Sequence, residues 1–128
     1  MRHDVLADMF AIIKNAERIG KRTCMVPSSK IIKEILKIMQ KSKYIGSFEF
    51  IEDGKSGKFK IELTGRINDC GVIRPRFEVK KNEFIRWEKR FLPSVNIGML
   101  FLTTPKGVID HRQAKKDNMG GGLLGFIY

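Results

Sequence analysis

Residues 28–63, SSKIIKEILKIMQKSKYIGSFEFIEDGKSGKFKIEL, change their hydrophobic period halfway along, and that change decides the fold class. Up to residue 41 the apolar side chains Ile31, Ile32, Ile35, Leu36, Ile38 and Met39 recur every three or four positions, which gathers them on one face of a helix. Ser28 or Ser29 stands where that helix is capped, and it is predicted to run to about Ser42. Beyond it the period falls to two. Phe59, Ile61 and Leu63 alternate with Lys58, Lys60 and Glu62, as in a strand with one buried face. Phe48 to Glu52 and Lys58 to Leu63 flank the turn-forming run Asp53-Gly54-Lys55-Ser56-Gly57, so the pair is predicted to be a hairpin. A helix feeding a hairpin, with no regular alternation of the two, indicates an α+β chain.

Toward the N-terminus, Asp4 to Ile19 carries Val5, Leu6, Met9, Ile12, Ile13 and Ala16 at helical spacing. Asp4 is placed to cap its start and Gly20 to end it in a left-handed conformation. A short strand, Thr23 to Val26, follows and closes at Pro27. Toward the C-terminus, Thr64 to Gly71 has turn residues and no period, which marks a junction between two small lobes. Residues 1–64 form a helix–strand–helix–hairpin lobe, and residues 65–128 a strand-rich lobe with one short helix. In the second lobe Val72-Ile73 and Phe77 to Val79 are extended pieces, and Ile85 to Phe91 reads equally as a strand or a helical turn ended by Pro93. Ile97 to Leu102 is an almost unbroken apolar run, as in a strand covered on both faces, and stops at Thr103-Thr104-Pro105-Lys106-Gly107. Asp110 caps a short helix, with Gln113 in place to complete a capping box. That helix is expected to end at Gly120-Gly121-Gly122, and Leu123 to Tyr128 to form a closing strand.

Charge narrows the function. Twenty-five Lys and Arg against 14 Asp and Glu give +11, with a pI near 9.9. Residues 1–64 hold 13 basic and 8 acidic side chains and residues 65–128 hold 12 and 6, so the excess covers both lobes. A folded body charged throughout in this way suits a polyanion, and phosphate backbones are the usual one. The chain lacks an apolar run of about 18 residues and a basic amphipathic helix with an exposed aromatic face, so no membrane partner is expected. Met1-Arg2-His3-Asp4 does not open a secretion signal, which points to the cytoplasm.

The candidate contacts are polar and dispersed. Lys30, Lys33, Lys37 and Lys41 form a basic stripe that reads chiefly as a solvated face. Lys30 alone lies beside the helix N-terminus, where backbone N–H groups also favour a phosphate. Thr103 and Thr104 each donate and accept hydrogen bonds, Lys106 offers a point charge, and the three glycines admit another backbone. The competing reading of that stretch is a strand-end turn followed by a helix C-cap. Trp87, between Arg86 and Lys89-Arg90, either packs in the core or stacks on an unpaired base. Cys24 and Cys70, with His3 and His111, lack metal-ligand spacing, so free buried thiols, no metal and no cofactor are expected. Catalysis is not expected either. The threonines have no His–Asp pair, Asp110 and His111 point apart as helical neighbours, and the glycines follow a helix where a phosphate loop would precede one.

Four stretches then fall in a known order: Ala7-Asp8-Met9, Pro27-Ser28-Ser29-Lys30, Thr103-Thr104-Pro105-Lys106-Gly107-Val108 and Gly120-Gly121-Gly122. Over nearly the whole chain this resembles the small-subunit ribosomal protein S-eight family. The middle, Tyr44 to Phe50 and Leu63 to Ile73, is similar to its archaeal and eukaryotic branch. The resemblance implies a primary rRNA-binding protein of the cytoplasmic small subunit. It would dock both lobes on a bulged helix of the central domain of small-subunit rRNA and help assembly. Neighbouring small-subunit ribosomal proteins are the other implied partners, and some members also bind a mimic of the site on their own messenger RNA. Residue by residue, it implies rRNA contacts at Asp4, Asp8, Lys14, Asn15, Ser28, Ser29 and Lys30 in the first lobe. In the second it implies Thr103, Thr104, Lys106, Gly107, Gly120, Gly121 and Gly122. Many members read Ser-Thr-Ser where this chain has Thr103-Thr104-Pro105, and Pro105 offers neither the hydroxyl nor the N–H of the third residue.

Overall fold

The computed structural model describes residues 5–55, 57–74, 77–94 and 96–128. Asp4, expected to cap the first helix and to touch RNA, lies outside them. The chain divides into two compact units, Met1–Cys70 and Gly71–Tyr128. Among the described residues it forms four helices and eight strands in two sheets; the architecture is mixed α+β, as the sequence indicated, with two helices and most strands in the C-terminal part.

In the first unit, helix α1 (Val5–Arg18) buries Leu6, Met9, Phe10, Ile13 and Ala16, and helix α2 (Lys30–Lys41) buries Ile32, Ile35, Leu36 and Met39. Strands β1 (Thr23–Pro27), β2 (Ile45–Ile51) and β3 (Lys58–Leu63) pair antiparallel in the order β1-β3-β2. Strict alternation in β3 buries Phe59, Ile61 and Leu63 and exposes the residues between them. Because α1 lies beside β1 and α2 beside β2, the helical stripes and the buried sheet face share one core. Each fully buried Ile or Leu there contributes about 1.5–3 kcal/mol. The β2–β3 turn is held by Asp53, whose Oδ1 accepts from the N–H groups of Lys55 and Gly57, both at 2.9 Å. Those two bonds hold its carboxyl below the usual carboxylate range.

Three helix ends use one device. After α1, Gly20 (φ 74°) turns the chain left-handed, Lys21 N–H reaches Ala16 O at 2.9 Å and Gly20 N–H reaches Glu17 O at 3.1 Å. Lys43 (φ 65°) does the same after α2, with Tyr44 N–H on Met39 O at 2.9 Å. Asn118 (φ 53°) repeats it after helix α4 (His111–Lys116), with Met119 N–H on Ala114 O at 2.9 Å. These are Schellman ends, in which bonds from beyond the helix satisfy its last carbonyls.

The second unit contains strands β4 (Cys70–Val72, whose first residue closes the first unit), β5 (Glu78–Val79), β6 (Met99–Thr104), β7 (Gly107–Asp110) and β8 (Gly121–Ile127). They are ordered β4-β8-β6-β7, with β5 on the first residues of β8. The apolar strand begins at Met99 rather than at Ile97, because Gly98 turns left-handed (φ 84°) and leaves Ile97 exposed. Met99 to Leu102 are all buried, as a strand covered on both faces requires. The ambiguous stretch is helix α3 (Phe84–Phe91), because Phe84, Trp87, Glu88 and Phe91 fall on one helical face and the first three are buried. Trp87 is core: its ring lies 4.5 Å from that of Phe77 and stacks on Phe91, with Arg86 and Arg90 over its face.

Three local expectations are corrected. The last helix stops at Lys116 rather than at the glycines, because Asn118 already supplies the left-handed residue. Asp110 Oδ1 does accept from Gln113 N–H at 3.0 Å, but the Gln113 amide runs forward to Asp117 and leaves the capping box half made. The apolar strand also continues through Thr103 and Thr104 and turns back as β7, a strand that four residues ahead of a helix cap did not announce.

Candidate nucleic-acid interface

The β6–β7 hairpin carries the sequence-predicted turn. Thr104 pairs with Gly107, leaving Pro105 and Lys106 as the exposed loop, and Gly107 (φ 114°) takes a conformation that favours glycine. Pro105 fixes φ at the first loop position and its missing N–H costs the ladder nothing there. The Thr104 hydroxyl closes the turn itself. It donates to Gly107 O at 2.8 Å and accepts from Lys106 N–H at 3.2 Å. Its single proton is therefore committed, and toward a ligand it has an acceptor lone pair only.

The predicted glycines lie beside this turn as the start of β8 and the residue before it. A Cβ on Gly121 would fall 2.4 Å from Thr103 O, and one on Gly120 would fall 2.2 Å from Val79 O. Gly122 is buried and faces the Thr103 methyl and Glu78. The backbones that these glycines admit are thus the protein's own β5 and β6. In doing so they bring three segments to one open cleft of about 740 Å³, lined by Glu78 to Asn82, Thr103 to Pro105, Gly120 and Gly121. Lys106, Gly107 and Gly122 are not in that lining.

Lys80, Lys81 and Asn82 are exposed in the cleft wall, and sequence reasoning passed over them. Their Lys-Lys-Asn run was visible after Val79. Only the pairing of β5 with β8 brings it beside residues 103–105.

In the first unit, Asp8 and Asn15 are exposed on α1, seven residues apart and hence on the same face. Lys14 is half-buried and bonds Asp69 Oδ1 at 3.0 Å, so part of its charge is answered within the protein. Ser29 is the N-cap of α2: its Oγ accepts from Ile32 N–H at 3.2 Å. Ser28 N–H donates to Gly57 O at 3.3 Å, which ties the approach to α2 to the β2–β3 turn. Lys30 is exposed at the first helical position, beside free N–H groups of that helix start. Lys33, Lys37 and Lys41 are exposed along the solvent face.

Other titratable groups are structural. Desolvation pushes the buried thiols up, Cys24 to about 11 and Cys70 to about 12. His111 and Glu88 are buried in the second unit. His111 Nδ1 accepts from Leu100 N–H at 3.0 Å, which leaves the ring proton on Nε2, 3.1 Å from Glu88 Oε1 but poorly aligned with it. Lys115 completes the group by bonding the same carboxylate oxygen. Burial lowers His111 to about 4, against the opposing pull of Glu88. Among the described residues no cluster of His, Cys, Asp and Glu is arranged to hold a metal ion, and no helix is long and apolar enough to cross a membrane.

Comparison with known proteins matches residues 4–128 to the family model described as Ribosomal protein S8. The small ribosomal subunit protein uS8 of Methanococcoides burtonii is 56% identical over 126 residues, covering 98% of this chain and 97% of that protein. The protein of the same name from Methanosphaerula palustris is 48% identical over 128 residues, covering 99% and 98%.

Proposed function

The chain belongs to the ribosomal protein S8 family, and from that premise we propose that it docks on a bulged helix of the central domain of small-subunit rRNA and helps that domain assemble. It is a structural protein of the small ribosomal subunit, not an enzyme, and its place is therefore in the cytoplasmic ribosome. Both units contribute contacts on this reading. Asp8, Lys14, Asn15 and Ser28 to Lys30 serve the first, and Thr103, Thr104, Lys106, Gly107 and Gly120 to Gly122 serve the second. Asp4 completes the first group from outside the described residues.

The observation that carries the reading is the C-terminal cleft, where a hairpin end, bare glycine backbone and exposed lysines converge. Lysines supply sequence-independent phosphate attraction. A hydroxyl held in place as an acceptor, together with a Pro ring and glycine backbone, suits the sugar and base edges of unpaired nucleotides. Several proposed residues act on RNA indirectly. Ser29 positions Lys30 by capping its helix, Gly121 and Gly122 let β8 close on β6, and Gly107 permits the tight turn. Neighbouring small-subunit proteins complete its surroundings, and a messenger segment that mimics the rRNA site would bind through the same cleft.

Direct titration of the purified protein against central-domain rRNA fragments, at about 0.15 M salt where loose surface attraction is screened, tests this. Perfectly paired hairpins of equal length run beside them. Preference for one irregular helix is the expected result. Equal, weak binding to every RNA would reduce the charge to a generic footprint and overturn the reading.

A further inference from the structure

We infer that Lys80, Lys81 and Asn82 form a phosphate-holding wall of the C-terminal cleft, and that Gly120 is the positioning residue that sets this wall against the 103–105 hairpin end. The inference rests on the RNA-binding reading of the cleft and adds to it a second wall, with cations that the hairpin's share of the lining (Thr103 to Pro105) does not have. Its ligand is an unpaired ribonucleotide with its flanking phosphates.

The wall is a fixed turn, not a loose loop. Val79 is buried in the core and pairs with Gly121, which anchors the turn on its strand side. Lys80 N–H donates to Glu83 Oε1 at 3.0 Å and Glu83 N–H donates back to Lys80 O at 3.0 Å, which anchors it on its helix side. Lys80 and Lys81 are exposed and have no carboxylate partner among the described residues, so their charge is open to a ligand. Asn82 adds amide donors.

The two walls are complementary in kind. On the hairpin side Thr104 has spent its proton on Gly107 O, so it accepts only. A ribose 2′-hydroxyl is a donor that can meet it, and the phosphates beside that ribose are acceptors for the lysines across the cleft. Glu78, the acid in the lining, also accepts. It suits a hydroxyl or an exocyclic amine and disfavours a free anion.

Gly120 sets the distance between the walls. A Cβ there would fall 2.2 Å from Val79 O and 3.1 Å from Lys80 Cα, both of them backbone atoms that a side-chain rotation cannot move aside. An alanine must push the β5–α3 turn outward and carry the lysines with it.

The test is a salt titration of binding to a central-domain rRNA fragment with an internal loop, beside a fully paired hairpin. Lys80→Ala with Lys81→Ala should make the salt slope shallower by about 1.4–1.8 units, about 0.7–0.9 for each phosphate no longer neutralised. Lys80→Arg with Lys81→Arg should keep the wild-type slope. Gly120→Ala should reproduce the alanine loss, and added to the double alanine variant it should weaken binding less than about twofold, because positions acting through one contact are not additive. Wild-type protein without preference for the looped fragment would overturn the underlying reading. Wild-type preference with an unchanged slope in the double alanine variant would overturn the wall alone. Full additivity of Gly120→Ala, or loss of its folded circular dichroism, would make Gly120 a residue of the fold and overturn its positioning role.

Discussion

Thr104 shows how one hydroxyl serves a turn before it serves a ligand. Its bonds to Gly107 O and Lys106 N–H would both be removed in Thr104→Ala, so that variant should be less stable by about 1–2 kcal/mol. Thr104→Ser should recover most of the loss, and urea unfolding of the three proteins checks both. If Thr104→Ala weakened RNA binding with no change in stability, the hydroxyl would be a reader of RNA and not the clasp of its turn. His111 gives a prediction with a definite sign. In the fold its pKa is lowered to about 4 by burial, while in the unfolded chain it titrates near the ordinary 6.5. Between those values the unfolded chain holds more protons. The stability from a neutral buried imidazole is thus complete above about pH 6.5 and declines as the pH falls toward 4. The urea midpoint should therefore be lower at pH 5 than at pH 7, and that His-specific decline should vanish in His111→Asn. The sequence did not disclose this group, since Glu88 stands on α3, far along the chain from His111 and Lys115 on α4, and His111 stands next to the more conspicuous Asp110.

Helix ends separate what is legible in a sequence from what is not. Ser29 announces itself by type and place, and Ser29→Ala should cost about 1 kcal/mol of stability by removing the cap of α2. Gly20 was equally plain. Lys43 was not, because nothing in a lysine suggests the left-handed conformation (φ 65°) that it adopts. The strain of a side chain there predicts that Lys43→Gly raises stability, by up to about 1 kcal/mol after the greater freedom of an unfolded glycine is counted. A higher melting temperature is the readout, and a lower one would mean that the lysine stem packs usefully. The same blind spot moved the end of α4: three glycines promised a cap, and Asn118 had already made one. Strong periodicity placed α1, α2 and β3 correctly because a core face leaves one solution. Even so, Val5, Ile12, Ile31 and Ile38 at the edges of the helical stripes are only partly buried, and Phe10, outside the expected stripe, is core. Pairings across distance, such as β5 with β8, leave no local period, and for that reason Lys80 and Lys81 were overlooked while Thr103 and Thr104 were found.

At the scale of the molecule the positive charge is divided between two units, and binding should be divided likewise. Lys30 belongs to the first and Lys106 to the second, so Lys30→Ala and Lys106→Ala should each reduce the salt slope by roughly one unit and do so additively. A combined variant no shallower than either single one would confine the RNA to one unit. The two cysteines put a different property in reach. With Cys24 at 9% and Cys70 at 2% exposure, and thiols pushed to about 11 and about 12, almost no thiolate exists at neutral pH and little of it is accessible. A maleimide added to the native protein should therefore wait for the first unit to open, and its rate of attachment becomes a clock for that opening. Run with and without RNA, the same clock would measure how firmly the ribosome's own scaffold holds this unit shut.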